Sequence, residues 1–200
     1  MEKSKNNYIT GVSLLIAAVV VLQTLSATFL KITGYSLALI FIPIIIAGIF
    51  YGIKGGTIVG TSFGIMIFLH SFLGMDPAGA LFLQYNWYLT ILLTVFRGII
   101  VGFLTALIYK YFNRVLKNKL VAVIIVSLCA PLINTIIFSA LAYILFYGLL
   151  ESWAIEANDS NVLHFLMASI YVNFIIEVLT TVIICPPVFK ALERSKQFSV

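Results

Sequence analysis

Long apolar runs dominate the chain, at about residues 8–30, 35–53, 56–73, 87–109, 120–149 and 162–188. Most approach the roughly 17–25 residues that a helix needs to span a bilayer, and the fifth is long enough to tilt or protrude. The pattern predicts an all-α membrane protein of six spans forming one compact domain over residues 1–200. The connections are short. Gly74 to Asn86 carries Asp76-Pro77 as a turn signal, and the stretch with Glu151, Trp153, Glu156, Asn158 and Asp159 is the most polar.

Charge placement orients these spans. The N-terminus, the second and fourth connections and the C-terminus hold ten basic residues: Lys3, Lys5, Lys54, Lys110, Arg114, Lys117, Lys119, Lys190, Arg194 and Lys196. The opposite connections hold Lys31 and the acids Asp76, Glu151, Glu156 and Asp159. Basic loops stay cytoplasmic, so six spans with both ends inside satisfy every connection together. The first run exceeds 20 residues, contains Gln23 and lacks a small-x-small cleavage site, so it reads as a span and not as a cleaved signal.

Composition agrees. Hydrophobic residues make up 62% of the 200 and charged residues 10%, with a mean hydropathy of +1.13. Soluble domains are about a quarter charged, so lipid is the solvent this chain fits. The net charge of +5 follows topology and forms no stripe for nucleic acid. Cys129 and Cys185 lie in apolar runs, with no metal-ligand or disulfide spacing. No phosphate-binding Gly-x-x-x-x-Gly-Lys loop occurs, so ATP hydrolysis is expected elsewhere. Neither a zinc-protease motif nor a ladder of carboxylates suited to a proton pump is present. The chain reads as a non-enzyme.

Small residues recur four apart at Gly48, Gly52, Gly56, Gly60 and Gly64, and again at Gly98, Gly102 and Ala106. In lipid such ridges let helix backbones approach closely, and the spacing favours packing within the bundle over docking to a partner. Ser13 and Ala17 make a further small pair on the first span.

Two charges, Arg97 and Glu177, lie inside spans, where each costs roughly 2.5–3.5 kcal/mol at a helix centre. Each is 13 residues from a cytoplasmic lysine, Lys110 or Lys190, so both stand about 20 Å above that anchor. Asn134, Asn173 and Gln23 fall at similar or greater height. Asn173 shares a face with Glu177, and Trp87, Thr90, Thr94 and Arg97 form a stripe at 3-4-3 spacing. These groups converge on the outer half of the core. A pocket there suits a small polar ligand, and a guanidinium binds a carboxylate in bidentate fashion. The competing reading pairs Arg97 with Glu177 as a structural ion pair. His70 and His164 near the outer ends read as solvated or interfacial. Tyr85, Trp87, Tyr88, Tyr147 and Trp153 read as an outer aromatic belt.

The stretches Ser13-Leu-Leu-Ile-Ala17 through Gln23, Gly34-Tyr-Ser-Leu-Ala-Leu-Ile-Phe-Ile-Pro43, Tyr51-Gly-Ile-Lys-Gly-Gly56, Arg97-Gly-Ile-Ile-Val-Gly102 ending in Tyr109-Lys110, and Cys129-Ala-Pro-Leu-Ile-Asn134-Thr135 carry a resemblance. Over nearly its whole length the chain resembles the substrate-binding (S) components of energy-coupling factor (ECF) vitamin importers, most like the pantothenate-type components. The resemblance implies an S component in the plasma membrane of a prokaryote. It would take a vitamin from outside, dock on a shared transmembrane coupling subunit and topple to release its cargo. Two separate ATPase subunits would use the ATP. It implies a pocket built by helices four to six and the outer loops, in agreement with the depths of Arg97, Asn134, Asn173 and Glu177; with Trp87, Thr94 and Gln23 these are the candidate ligand residues. Ser13 and Ala17 stand where the family's Ala-x-x-x-Ala docking pair falls, with serine for the first alanine. Riboflavin, folate or hydroxymethylpyrimidine are alternative cargoes. A stand-alone channel or secondary carrier, or a scaffold without ligand, is the alternative of another class.

Overall fold

A computed structural model describes residues 2–33 and 38–194 of the chain, with side chains from 6–28 and 39–194. Residues 34–37, where the pattern starts the second span, and Lys196 lie outside the described residues, as do the side chains of Lys3, Lys5 and Lys31. Every described element is helical, as expected where lipid offers the backbone no hydrogen bonds and each N–H must find its carbonyl within the segment. Five helical stretches among the described residues are long and apolar enough to cross a membrane: Asn6–Thr28, Phe41–Phe72, Trp87–Val115, Lys119–Leu145 and Val162–Arg194.

The count of five, against six apolar runs, arises at one residue. Helix α1 spans Glu2–Thr33 and a 3-10 turn spans Ala38–Ile40. Helix α2, Phe41–Phe72, is interrupted at Gly52, whose φ of 65° and ψ of −163° are not helical. The chain folds back there. Phe41 and Phe63, 22 residues apart, have ring centroids 6.0 Å apart. A Cβ on Gly48 and a Cβ on Gly56 would each stand 3.0 Å from the Ala106 Cβ. In a straight helix Gly48 and Gly56 would be about 12 Å apart. Residues 41–51 and 53–72 are therefore antiparallel arms. The first is about 16 Å long, half of a ~30 Å core. A positive φ makes glycine the suitable residue at the turn.

Helix α3 (Pro77–Tyr85) and helix α4 (Trp87–Ile91) follow. A π-helical turn, Leu92–Phe96, then leads into α5 (Arg97–Val115). Helix α6 spans Lys119–Leu145, α7 Tyr147–Glu156 and α8 Val162–Arg194. Short polar caps start these elements, because the first N–H groups of a helix have no partner within it. Asp76 Oδ1 accepts from Gly79 N at 3.1 Å, with Pro77 at the first helical position. Asn86 caps α4, Asn118 caps α6 and Asn161 caps α8 in the same manner.

Two differences from the sequence pattern matter for the site. The connection after Gly74 contains a helix, α3. The fifth run divides at Phe146, whose φ of −126° and ψ of 27° end α6 four residues before the run does. Phe146 is fully buried there, 4.7 Å from the Phe82 ring of α3. Burying that aromatic turns α7 back across the bundle.

The glycine ridges meet each other. A Cβ on Gly60 would stand 2.8 Å from the Gly102 Cα and would collide with the Gly98 carbonyl oxygen. Gly98 and Gly102 collide in turn with the Gly60 and Gly56 carbonyls. The ridges thus serve packing within the bundle, joining the second arm of α2 to α5 backbone to backbone. One apolar cluster fills the Gly52 end, with Phe41, Ile44, Ile45, Val59, Val101, Val126 and Cys185. A second, around Phe82, Phe146, Leu150 and Leu166, lies at the α3–α7 end.

Candidate ligand cavity

A cavity of about 440 Å³ opens where the two apolar clusters meet. Its apolar walls come from both: Phe41, Phe63 and Ile67 from one, Phe82, Leu93 and Leu166 from the other. Its polar lining includes Gln23, Ser26, Ser71, Asp76, Thr94, Arg97, Asn134, Asn173 and Glu177. Six of the seven candidate ligand residues therefore face one space: Gln23, Thr94, Arg97, Asn134, Asn173 and Glu177.

Trp87 does not join them. It is 50% exposed and its ring stacks on Tyr88 with centroids 3.5 Å apart. As the first residue of α4 it lies at the rim, and the three-residue step to Thr90 turns it about 60° off the stripe. Trp153, read as belt, lines the cavity instead, beside Phe82. Asp76, Phe63 and Phe138 also escaped the sequence reading. Asp76-Pro77 with Gly79 is a cap-then-proline helix start and signals α3, whose first turn carries Asp76 to the cavity. His70 differs from expectation as well: it is 3% exposed, with Nε2 3.4 Å from Thr24 Oγ1, because α1 covers it. His164 is exposed as expected and hydrogen-bonds Asp159 at 2.6 Å. That bond, with one from the Asn161 N–H, holds the Asp159 carboxyl below the usual carboxylate range.

Arg97 follows the π turn directly, and the next residue, Gly98, is pressed against Gly60 and Gly64. A one-turn change of hydrogen-bond register in mid-helix is common at functional sites. Here it lies between the Thr90–Ile91 turn and the glycine seam. The Arg97 side chain is 8% exposed, and its Nε has no hydrogen-bond partner. The guanidinium carbon lies 5.0 Å from the Phe138 ring centroid and 5.9 Å from that of Phe63. Among the described residues no carboxylate lies within 4 Å of it; the ion pairs are Lys119–Glu193 and His164–Asp159. Glu177 and Asp76 are near enough to act on Arg97 through space only. Asn134 Oδ1 is likewise buried without a partner.

The hydroxyls are committed differently. Ser71 donates to Ile67 O, Thr90 to Asn86 O and Thr94 to Thr90 O, at 2.8–3.0 Å. Their protons are spent within the helices, which leaves oxygen lone pairs for a donor. The cavity thus offers a cation, a carboxyl group, amides and acceptor oxygens, against aromatic and aliphatic walls. That set is chemically suited to a small molecule with an anionic end and several hydroxyl or amide donors. No cluster of groups that could hold a metal ion occurs among the described residues.

On the predicted docking face, Ser13 and Ala17 are both exposed on α1, beside Leu14 and Val21.

Comparison with known proteins gives two findings. A family model described as "ECF transporter, substrate-specific component" matches residues 7–189. The chain is also 25% identical, over the whole of both sequences, to "Pantothenic acid transporter PanT" of Lactococcus lactis subsp. cremoris (strain MG1363). No solved structure matches it.

Proposed function

The chain belongs to the family of ECF transporter substrate-specific components, and from that premise we propose that it captures pantothenate in the Arg97 cavity. The family is one of transporters, so the chain is a membrane-embedded transport component and not an enzyme.

The observation that carries the choice of ligand is Arg97. A guanidinium at membrane depth costs several kcal/mol unless a partner neutralises it. Two aromatic faces hold this one, and no carboxylate of the described residues touches it. A ligand carboxylate supplies the missing partner. Pantothenate carries one, together with an amide and hydroxyls that suit Asn134, Asn173, Gln23, Glu177 and the lone pairs of Thr94. The likeness to a pantothenic acid transporter supports the same cargo. Riboflavin and hydroxymethylpyrimidine have no carboxylate for the guanidinium, and folate carries two, one more than Arg97 alone neutralises.

In this reading the chain crosses the plasma membrane of a prokaryote six times with both ends inside. The hairpin at Gly52 and the ten basic residues at alternate connections support it. The cavity then faces outward. Ser13 and Ala17 form the contact with the transmembrane coupling subunit, and two partner ATPase subunits hydrolyse the ATP, since this chain has no phosphate loop.

The opposite charges of Arg97 and Glu177 on one cavity also favour a second reading, a self-sufficient carrier gated by that pair. Uptake of labelled pantothenate into liposomes separates the two. The S-component reading expects no uptake by the purified chain alone, and uptake once coupling and ATPase subunits are added with ATP. Uptake by the chain alone would reject it in favour of the carrier.

A further inference from the structure

Arg97 and Glu177 carry opposite charges into one cavity of low dielectric, where attraction between them is strong. The three-methylene stem of an arginine has the reach and freedom to close such a pair, yet the two remain more than 4 Å apart. What holds the guanidinium is aromatic. Phe138 of α6 and Phe63 of α2 both present their rings to it. Each ring is braced in turn: Phe63 by Phe41 at 6.0 Å, and Phe138 by Phe82 at 6.3 Å, both edge to face. A ring face attracts a cation without neutralising it and without occupying its N–H donors in a hydrogen bond.

We propose that Phe63 and Phe138 are positioning residues that hold Arg97 away from Glu177, so that the empty cavity keeps a free cation for an incoming carboxylate. This rests on the reading of Arg97 as the carboxylate receptor. Without the rings, Arg97 falls onto Glu177, and a ligand carboxylate must first break an internal ion pair. The clamp therefore sets selectivity for an anion, separately from general affinity. Phe138, the nearer ring, contributes more than Phe63.

The test compares two probes on the full chain in detergent: pantothenate and panthenol, its alcohol, which lacks the carboxylate. Calorimetry gives both dissociation constants, and their ratio reports carboxylate selectivity independently of packing losses that weaken both ligands alike. The wild-type ratio is expected to exceed about tenfold, the order of one desolvated charge-assisted contact. In Phe138→Leu it falls to within about threefold, consistent with the size of a desolvated cation–π contact. Phe138→Tyr, which keeps the ring face, retains the wild-type ratio. Phe138→Leu combined with Glu177→Gln recovers it, because Arg97 has no carboxylate to fall onto. If Phe138→Leu yields no monodisperse protein, Phe63→Leu is judged by the same criteria. A wild-type ratio near one overturns the reading of Arg97 itself, and the clamp with it. A normal wild-type ratio that survives Phe138→Leu, is lost equally in Phe138→Tyr, or does not return in the double variant overturns the clamp alone.

Discussion

Along the seam between α2 and α5, glycines at 56, 60, 64, 98 and 102 bring backbone against backbone. In its most apolar stretch 56% of α2 is buried, against 11% for α8. Helix α8 meets the bundle with only Val162, Leu166, Thr181, Cys185 and Phe189 buried. The seam positions Arg97, which directly precedes Gly98. The thinly buried α8 carries Asn173 and Glu177. One wall of the cavity is thus fixed by contacts that tolerate no added atom, and the other is held by a few apolar anchors. Such a division suits a site that must present one charge in a set place and open on another side to admit and release a ligand. Sparse burial is the structural mark of elements that move at low cost.

The largest effect should come from closing the seam. Gly60→Leu places a branched side chain where even a Cβ would be 2.8 Å from the Gly102 Cα. Two backbones must separate, and size-exclusion chromatography should show loss of the monodisperse species. A folded Gly60→Leu protein with unchanged thermal stability would contradict a rigid seam. Next in size is Asn134→Leu. It removes a buried oxygen that has no partner but also the Asn134–Glu177 hydrogen bond, so the ligand-free protein should lose about 1 kcal/mol. Pantothenate affinity should fall roughly threefold to tenfold with the loss of one hydrogen bond. Thermal melts with and without ligand read both, and a loss of stability without loss of affinity would assign Asn134 to packing. The smallest effect belongs to the outer face of α8. Leu179 is 56% exposed, and Leu179→Ala should change stability by less than about 0.5 kcal/mol, as surface substitutions do. A melt showing a substantial loss would mean that α8 is held more firmly than its burial indicates.

Much of the cavity was legible in the chain because lipid enforces a simple rule. A polar group at membrane depth must face inward, and helical rise converts its distance from the basic anchors into a height. Arg97, Glu177, Asn134, Asn173 and Gln23 obey that rule and line one cavity. Trp87 fails because an aromatic is equally at home at the rim, and periodicity cannot tell a wall from a belt. Trp153 is the converse case. The reversal was legible as the break between the runs 35–53 and 56–73, but Gly52 as its turning residue was hidden, because it belongs to a regular four-residue series in which neighbours serve packing and only this one takes a positive φ. The aromatic clamp was hidden for another reason: Phe63 and Phe138 are separated by 75 positions and meet only through Arg97. Helix α3 did leave a mark, in Asp76-Pro77, but a turn and a capped helix begin with the same two residues.

In the proposed function the Arg97 guanidinium receives a vitamin carboxylate. Titration of the wild-type chain and of Arg97→Ala with pantothenate, in detergent and without nucleotide, tests it most directly. Saturable binding at one site is expected of the wild type, and at least tenfold weaker binding of a variant that elutes and melts as a folded monomer. Equal binding by the two, or no binding by a folded wild type, would contradict it.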